Sequence, residues 1–238
     1  RKQRILLIIF LLLFGIASAQ KSTTLNLPKF DHRFMHFGFL LGINSANFAL
    51  DRLPPAFEGS DTLRVLEPGA TTGFNLGIIS AMHFGQHFSL RFTPNLAFAQ
   101  RSLTYKFETM EGEKQYTKEI ESTLINFPLN IKFKSARVNN FSAYIIGGAA
   151  YSLDLASNVD AENVSTDPND IFIKIAKNDI MGQIGFGTDF YLEYFKFGIE
   201  LKMSYGLKNY HVKEDNAFAN PIEKLKSKMF LLSFTFEG

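Results

Sequence analysis

Phe195-Lys196-Phe197-Gly198-Ile199-Glu200-Leu201-Lys202-Met203-Ser204-Tyr205-Gly206-Leu207 alternates without a fault. Phe195, Phe197, Ile199, Leu201, Met203, Tyr205 and Leu207 are apolar or aromatic; Lys196, Gly198, Glu200, Lys202, Ser204 and Gly206 between them are polar or tiny. A period of two makes one β-strand with an apolar face and a wet face. Strands of soluble proteins run about 5 to 6 residues, whereas a tilted strand crossing a bilayer needs about 9 to 11. This stretch is of the second kind.

Seven more stretches follow the same rule. Strands are expected at Met35 to Phe48 with Phe37, Phe39, Leu41 and Ile43 on one face, and at Ala70 to Phe84 with Phe74, Leu76, Ile78, Met82 and Phe84 aligned. A Gly85-Gln86 turn leads to a third from His87 to Phe107, in which Pro94 falls on the outward face, tolerable at a bulge but not ideal in a ladder because proline cannot donate to it. The fourth is expected at Glu119 to Lys134 and the fifth at Phe141 to Leu155, whose Gly147-Gly148-Ala149-Ala150 core leaves its facing open. The sixth ends with Ile184, Phe186, Phe190 and Leu192, the quoted stretch is the seventh, and Ser227 to Phe236 is the eighth. Short connections near 85–87, 135–140 and 193–194 alternate with long ones near 50–69, 109–118, 156–178 and 209–226. The expected fold is all-β, an eight-stranded antiparallel up-and-down transmembrane β-barrel with short periplasmic turns and long extracellular loops.

Alternation does not itself say which face points outward, since a soluble lipocalin-like barrel alternates too. Residue size argues for an inside-out barrel. The polar faces carry Gly38, Gly42, Gly73, Gly77, Gly185, Gly187, Gly198 and Gly206, which weaken a solvent-facing strand but suit a narrow lumen. The other faces carry most of the 26 Phe, which would overfill an eight-stranded interior and meet no such limit in lipid. The glycines leave lumen room for Arg91, Lys132, Asp189, Lys196, Glu200 and Lys202, expected to form a paired charge network with Arg91 and Lys202 against Glu200 or Asp189.

The N-terminus reads as an export signal over residues 1–19. Arg1, Lys2 and Arg4 form a basic region, Ile5 to Phe14 an apolar run too short for a comfortable membrane helix, and Ala17-Ser18-Ala19 a cleavage pattern before Gln20. Residues 20–34 are expected to be a periplasmic segment and 35–238 the barrel. Cys is absent, so neither a disulfide framework nor a lipid-anchoring thiol is available. A net charge of +2 gives no footprint for nucleic acid.

Site chemistry is sparse. His83 and His87 flank the first turn without a carboxylate or Cys at ligand spacing, so no metal or other cofactor is expected. Asp154, Asp160, Glu162, Asp167 and Asp170 lack the glycine and spacing of a calcium loop and read as solvated surface. No Ser, His and acid set singles out a nucleophile, so no catalytic residue is expected. Two stretches stand out as partner contacts: Leu25, Leu27 and Phe30 in the aperiodic N-terminal segment, and Ile171, Phe172 and Ile173, which alternate beyond the membrane span and either extend the barrel wall or dock on a partner.

Asn26-Leu27-Pro28-Lys29-Phe30-Asp31, followed by His36-Phe37-Gly38-Phe39-Leu40-Leu41-Gly42-Ile43-Asn44 and Phe48, resembles the start of PorT-family outer-membrane proteins of the Bacteroidetes. Ile125-Asn126-Phe127-Pro128-Leu129, Gly147-Gly148-Ala149, Gly185-Phe186-Gly187-Thr188-Asp189 and Lys202-Met203-Ser204-Tyr205-Gly206-Leu207 look like that family too. The resemblance implies a component associated with the type 9 secretion system, needed for protein export across the outer membrane and, in gliding relatives, for motility. It carries over no catalytic residues. The expected function is therefore a non-enzymatic barrel whose partners are outer-membrane lipid and other secretion-machinery proteins. The alternative is a stand-alone barrel acting as adhesin, envelope-stress protein or lipid-modifying enzyme.

Overall fold

A computed structural model of the chain describes residues 24–53, 62–109, 112–159 and 171–238. The strands are β1 (Met35–Arg52), β2 (Thr62–Phe84), β3 (Phe88–Phe92), β4 (Asn95–Thr109), β5 (Gly112–Lys134), β6 (Phe141–Asp154), β7 (Asn178–Tyr191), β8 (Lys196–Gly206) and β9 (Ile222–Glu237), preceded by a single 3-10 turn at Phe30–His32. Every pairing is antiparallel and, with β3 and β4 taken as one strand, runs between sequential neighbours, and β9 returns to β1 from Gly38↔Glu237 to Arg52↔Ile222. Closure leaves the middle of the sheet without an edge, as a hydrocarbon surround demands.

β3 and β4 are one barrel strand. Phe92 pairs with Ser80 and Leu129, and Asn95 pairs with Gly77 and Asn126, so both neighbours keep step across Thr93-Pro94. Pro94 therefore sits in the ladder without a bulge. The ladder is interrupted because Pro94 and Pro128, adjacent across it, both lack the N–H. Thr93 still donates to the Pro128 carbonyl at 3.2 Å, and the Asn95 side chain donates to the Thr93 carbonyl at 2.9 Å, in place of the bond Pro128 cannot make. The register slips instead between Ala70 and Phe74, between Leu63 and Val65, and between Asp51 and Arg52.

The strands run past the expected boundaries on the side of the long connections. β1 continues to Arg52, β2 begins at Thr62, β5 at Gly112 and β9 at Ile222. The long connection expected at 109–118 is a hairpin, with Thr109 pairing Gly112. The reason is a change of solvent along the strands. In the middle third the outside is apolar: Ile184, Phe186 and Ile131 are 69, 60 and 59 % exposed while Arg91 and Glu200 are 1 % exposed. Beyond it the sides exchange. Leu66, Leu103, Tyr105, Ile120 and Leu225 point inward and are buried, whereas Arg64 pairs with Glu108, and Lys106 with Glu113 at 3.7 Å, on the outside. An apolar face outward in lipid thus becomes an apolar face inward in water, and pairing continues through the exchange.

β6, whose facing the sequence left open, turns Ser142, Tyr144, Ile146, Ala150, Ser152 and Asp154 inward, with Phe141, Ile145 and Tyr151 outward.

Candidate functional site: the barrel lumen and its two closures

Arg91, Lys132, Asp189, Lys196, Glu200 and Lys202 all point into the lumen and are buried. They meet through one further residue, Glu237. Lys202 contacts Glu200 at 3.2 Å, Glu200 contacts Arg91 at 2.9 Å, and Arg91 also pairs with Glu237. Glu237 contacts Lys196 at 2.9 Å, Lys196 approaches Asp189 at 3.9 Å, and Asp189 holds Lys132 at 2.7 Å. The result is a chain of seven charges of alternating sign, contributed by β3, β5, β7, β8 and β9. Tyr144 supports it, donating to Glu200 at 3.0 Å while its ring lies 3.5 Å from the Lys132 ammonium. Room for that ring comes from Gly187, where a Cβ would lie 2.5 Å from Tyr144.

Two members escaped sequence reasoning. Glu237 follows by parity, because Phe230, Leu232, Phe234 and Phe236 alternate outward and the next residue must turn in. Tyr144 could not be assigned while the facing of its strand was open. Arg91 and Lys202 both sit against Glu200, and Asp189 is taken by the two lysines.

Next along the axis comes a belt of amides and hydroxyls. Asn44 donates to Asn75 at 2.6 Å, Asn75 to Asn95 at 3.1 Å, Asn126 to Asn95 at 3.0 Å, and Ser152 to Asn126 at 2.6 Å. Asn130, Gln183 and Ser204 extend it at 3.0 and 2.9 Å. The two runs, which share β5, stitch β1 to β6 and β5 to β8 and pair most of the buried amide groups, leaving Oδ1 of Asn44 and of Asn130 without a partner.

The side of the long connections is sealed by a cap. Arg101 donates to Ser227 at 3.0 Å and to Ser122, approaches Asp154 at 3.9 Å, and lies 4.5 Å from the Phe48 ring centroid. Tyr210 donates to Asp154 at 3.3 Å, and burial pushes its phenol above the ordinary range. Over them pack Tyr105, Ile173, Ile175, Phe218 and Ile222. Ile173 is buried and so is not the partner contact that is one of its two readings from sequence; Ile171 is half-buried against this core, and Phe172 between them is exposed. The pattern alternates because one side of the segment faces the cap interior. Of the five acidic residues considered for calcium, Asp154 is buried in the cap; Asp160, Glu162, Asp167 and Asp170 lie outside the described residues, as do residues 1–19 with the export signal.

The opposite mouth is closed by the N-terminal segment. Phe30, expected as a partner contact, is buried instead: its ring stacks on His36 at 3.7 Å and meets His83 and Tyr191 edge-on at 6.5 and 6.1 Å. The Lys196 ammonium lies 4.6 Å from the same ring centroid, joining this closure to the charge chain. Asp31 is held by Lys134 at 2.6 Å and by the Tyr191 hydroxyl at 3.0 Å. Burial raises the Asp31 carboxyl, but the hydrogen bond and charge of Lys134 outweigh it and hold the group below its usual range. Leu27 is half-buried and Leu25 is exposed. His83 faces His36 rather than His87, whose ring contacts the Lys134 carbonyl at 3.0 Å.

A family described as Outer membrane protein beta-barrel domain matches residues 18–212. The chain belongs to that family. It is an outer-membrane β-barrel, its short turns periplasmic and its cap outside. Among solved structures the barrel is similar to the crystal structure of the outer membrane protein OprG from Pseudomonas aeruginosa, at 13 % identity and a TM-score of 0.42 over 84 % of this chain and 95 % of that one. No curated protein matches it.

Proposed function

We propose that this outer-membrane barrel is a non-enzymatic component of a protein secretion machinery, acting through protein–protein contacts and not as a conduit. The observation that carries the reading is the filled lumen: lid, charge chain, amide belt and cap lie in series along the axis. An eight-stranded interior is only wide enough for its own side chains, so the work falls to the surfaces. The resemblance to PorT-family proteins makes the type 9 system, which serves motility in gliding relatives, the machinery of choice. Affinity capture of the tagged protein from native outer membranes tests this. Stoichiometric co-purification of secretion components is the expected result; a lone barrel with unimpaired export in a deletion strain would favour a stand-alone adhesin, stress protein or lipid-modifying enzyme.

A further inference from the structure

The periplasmic lid does more than fill space, because the mouth recognises it as a binding site recognises a ligand. Two consecutive residues, Phe30 and Asp31, carry its specific contacts. The ring occupies a slot made by His36 of β1, His83 of β2, Tyr191 of β7 and Lys196 of β8. The adjoining carboxylate takes a charge-assisted hydrogen bond from Lys134 of β5 and another from Tyr191. The His36 ring also meets the Phe30 carbonyl at 2.7 Å, which registers the peptide backbone between ring and carboxylate. Aromatic slot, carboxylate clamp and backbone hydrogen bond are together the parts of a peptide site.

The occupant is held lightly. Phe30 is the one fully buried side chain among residues 24–34. The segment's own structure is a single 3-10 turn, and its remaining ties are polar: Asn26 to Asn140 at 2.9 Å, Asn26 to the Tyr191 carbonyl at 3.0 Å, Arg137 to Asn26 and Leu27, Asn140 to the Thr24 carbonyl at 3.1 Å and the His83 N–H to the Phe34 carbonyl at 2.8 Å. Leu27 is set at φ 49°, in the left-handed region that side chains of its kind rarely adopt. Few buried apolar contacts and a strained entry mark a segment that opens at low cost.

We propose that the periplasmic mouth is a peptide-binding site for an aromatic residue followed directly by a carboxylate, occupied in cis by Phe30-Asp31 and taken over in trans by such a segment of a periplasmic protein. Because Lys196 touches both the slot and Glu237, exchange of the occupant is felt at the charge chain. The inference stands apart from the secretion reading, since it concerns what the mouth binds whatever machine the barrel serves.

The test uses the full chain in detergent micelles and a fluorescently labelled synthetic peptide spanning Asn26 to Phe34. Trans affinity for the intact protein is reduced by the fraction of time the mouth is open, so Phe30→Ala/Asp31→Asn protein should bind the peptide at least about tenfold tighter than the unaltered protein does. The same peptide carrying Phe30→Ala and Asp31→Asn should lose binding. A folded variant that binds no tighter than the unaltered protein, or that binds both peptides alike, overturns the proposal. Should that variant not fold, Asn26→Cys/Asn140→Cys locks the lid with a disulfide in a chain that has no other Cys. The oxidised form must then refuse the peptide and the reduced form accept it; equal binding in the two states overturns the proposal as well.

Discussion

Arg91 and Lys202 differ in their place along the charge chain, and that difference sets the cost of losing each. Arg91 lies inside the chain between Glu200 and Glu237 and is 1 % exposed. Arg91→Met takes the shared cation from two buried carboxylates at once, leaving Glu200 to Lys202 and Tyr144 and Glu237 to Lys196, and breaking a buried pair by removing one partner costs about 3–5 kcal/mol. Lys202 ends the chain, and without it Glu200 still holds Arg91 and the Tyr144 hydroxyl. Lys202→Met is therefore expected to cost no more than about 1–2 kcal/mol, within the range for an ordinary charged hydrogen bond. Urea unfolding in micelles measures both; equal losses would show that the seven charges do not act as an ordered chain. Asp31 carries the pH dependence of the lid. Its folded pKa is below the unfolded one, so its contribution is complete above the unfolded value of about 3.9 and is lost as pH falls through the depressed value. A nitroxide at Leu25→Cys should keep one mobility from neutral pH down to about pH 5 and become mobile only below about pH 4, and Asp31→Asn should remove that acid step. At this scale six of the seven chain residues were legible in the sequence, because parity along a strand decides facing. Phe30 was read as a partner contact for the opposite reason, since in an aperiodic segment an apolar residue looks the same whether it meets a partner or its own barrel; at Ile171 and Ile173 the alternation marks an inner side without saying whether a partner or the barrel's own cap fills it.

Among the elements, the interrupted strand β3–β4 makes the sharpest demand. Pro128 withholds a donor and Asn95 supplies one, so the two residues are coupled through the Thr93 carbonyl. Pro128→Ala restores the ladder N–H at a position whose partner is already in register. Asn95→Ala should then cost about 1 kcal/mol less in the Pro128→Ala background than alone, the worth of one hydrogen bond that has become redundant. A double-mutant cycle by thermal unfolding isolates that coupling from the belt contacts of Asn95 with Asn75 and Asn126, which are lost in both backgrounds. Additive losses would mean that the Asn95 side chain does not replace the missing donor. Strand number and order, and the facing of every strand but β6, were readable because lipid enforces one apolar side across the bilayer. The outer boundaries were not, since above the membrane the inner and outer faces exchange polarity. A reading tuned to apolar-outward strands stops where Leu66, Ile120 and Leu225 lie near or beyond its limits and point in, which is why the β4–β5 hairpin past Phe107 looked like a loop.

Taken whole, the barrel is closed four times along one axis, and the closures depend on different physics. The lid rests on one aromatic ring and an ion pair, the charge chain on buried electrostatics, the belt on amide hydrogen bonds, and the cap on apolar burial worth about 1.5–3 kcal/mol for each large side chain. Closures in series do not substitute for one another in folding, but they do in sealing, because a path must pass all of them. Deleting residues 24–34 therefore frees the periplasmic mouth and leaves the lumen filled by Arg91, Glu237, Lys196 and the residues beyond them. The truncated protein should insert into planar bilayers without open-pore conductance. The same holds for Tyr105→Ala/Phe218→Ala, which loosens the cap where those rings meet edge-on at 5.1 Å. Steady open-pore currents from either single lesion would show that one closure alone had been holding back a channel, and the barrel would then have to be read as gated rather than filled.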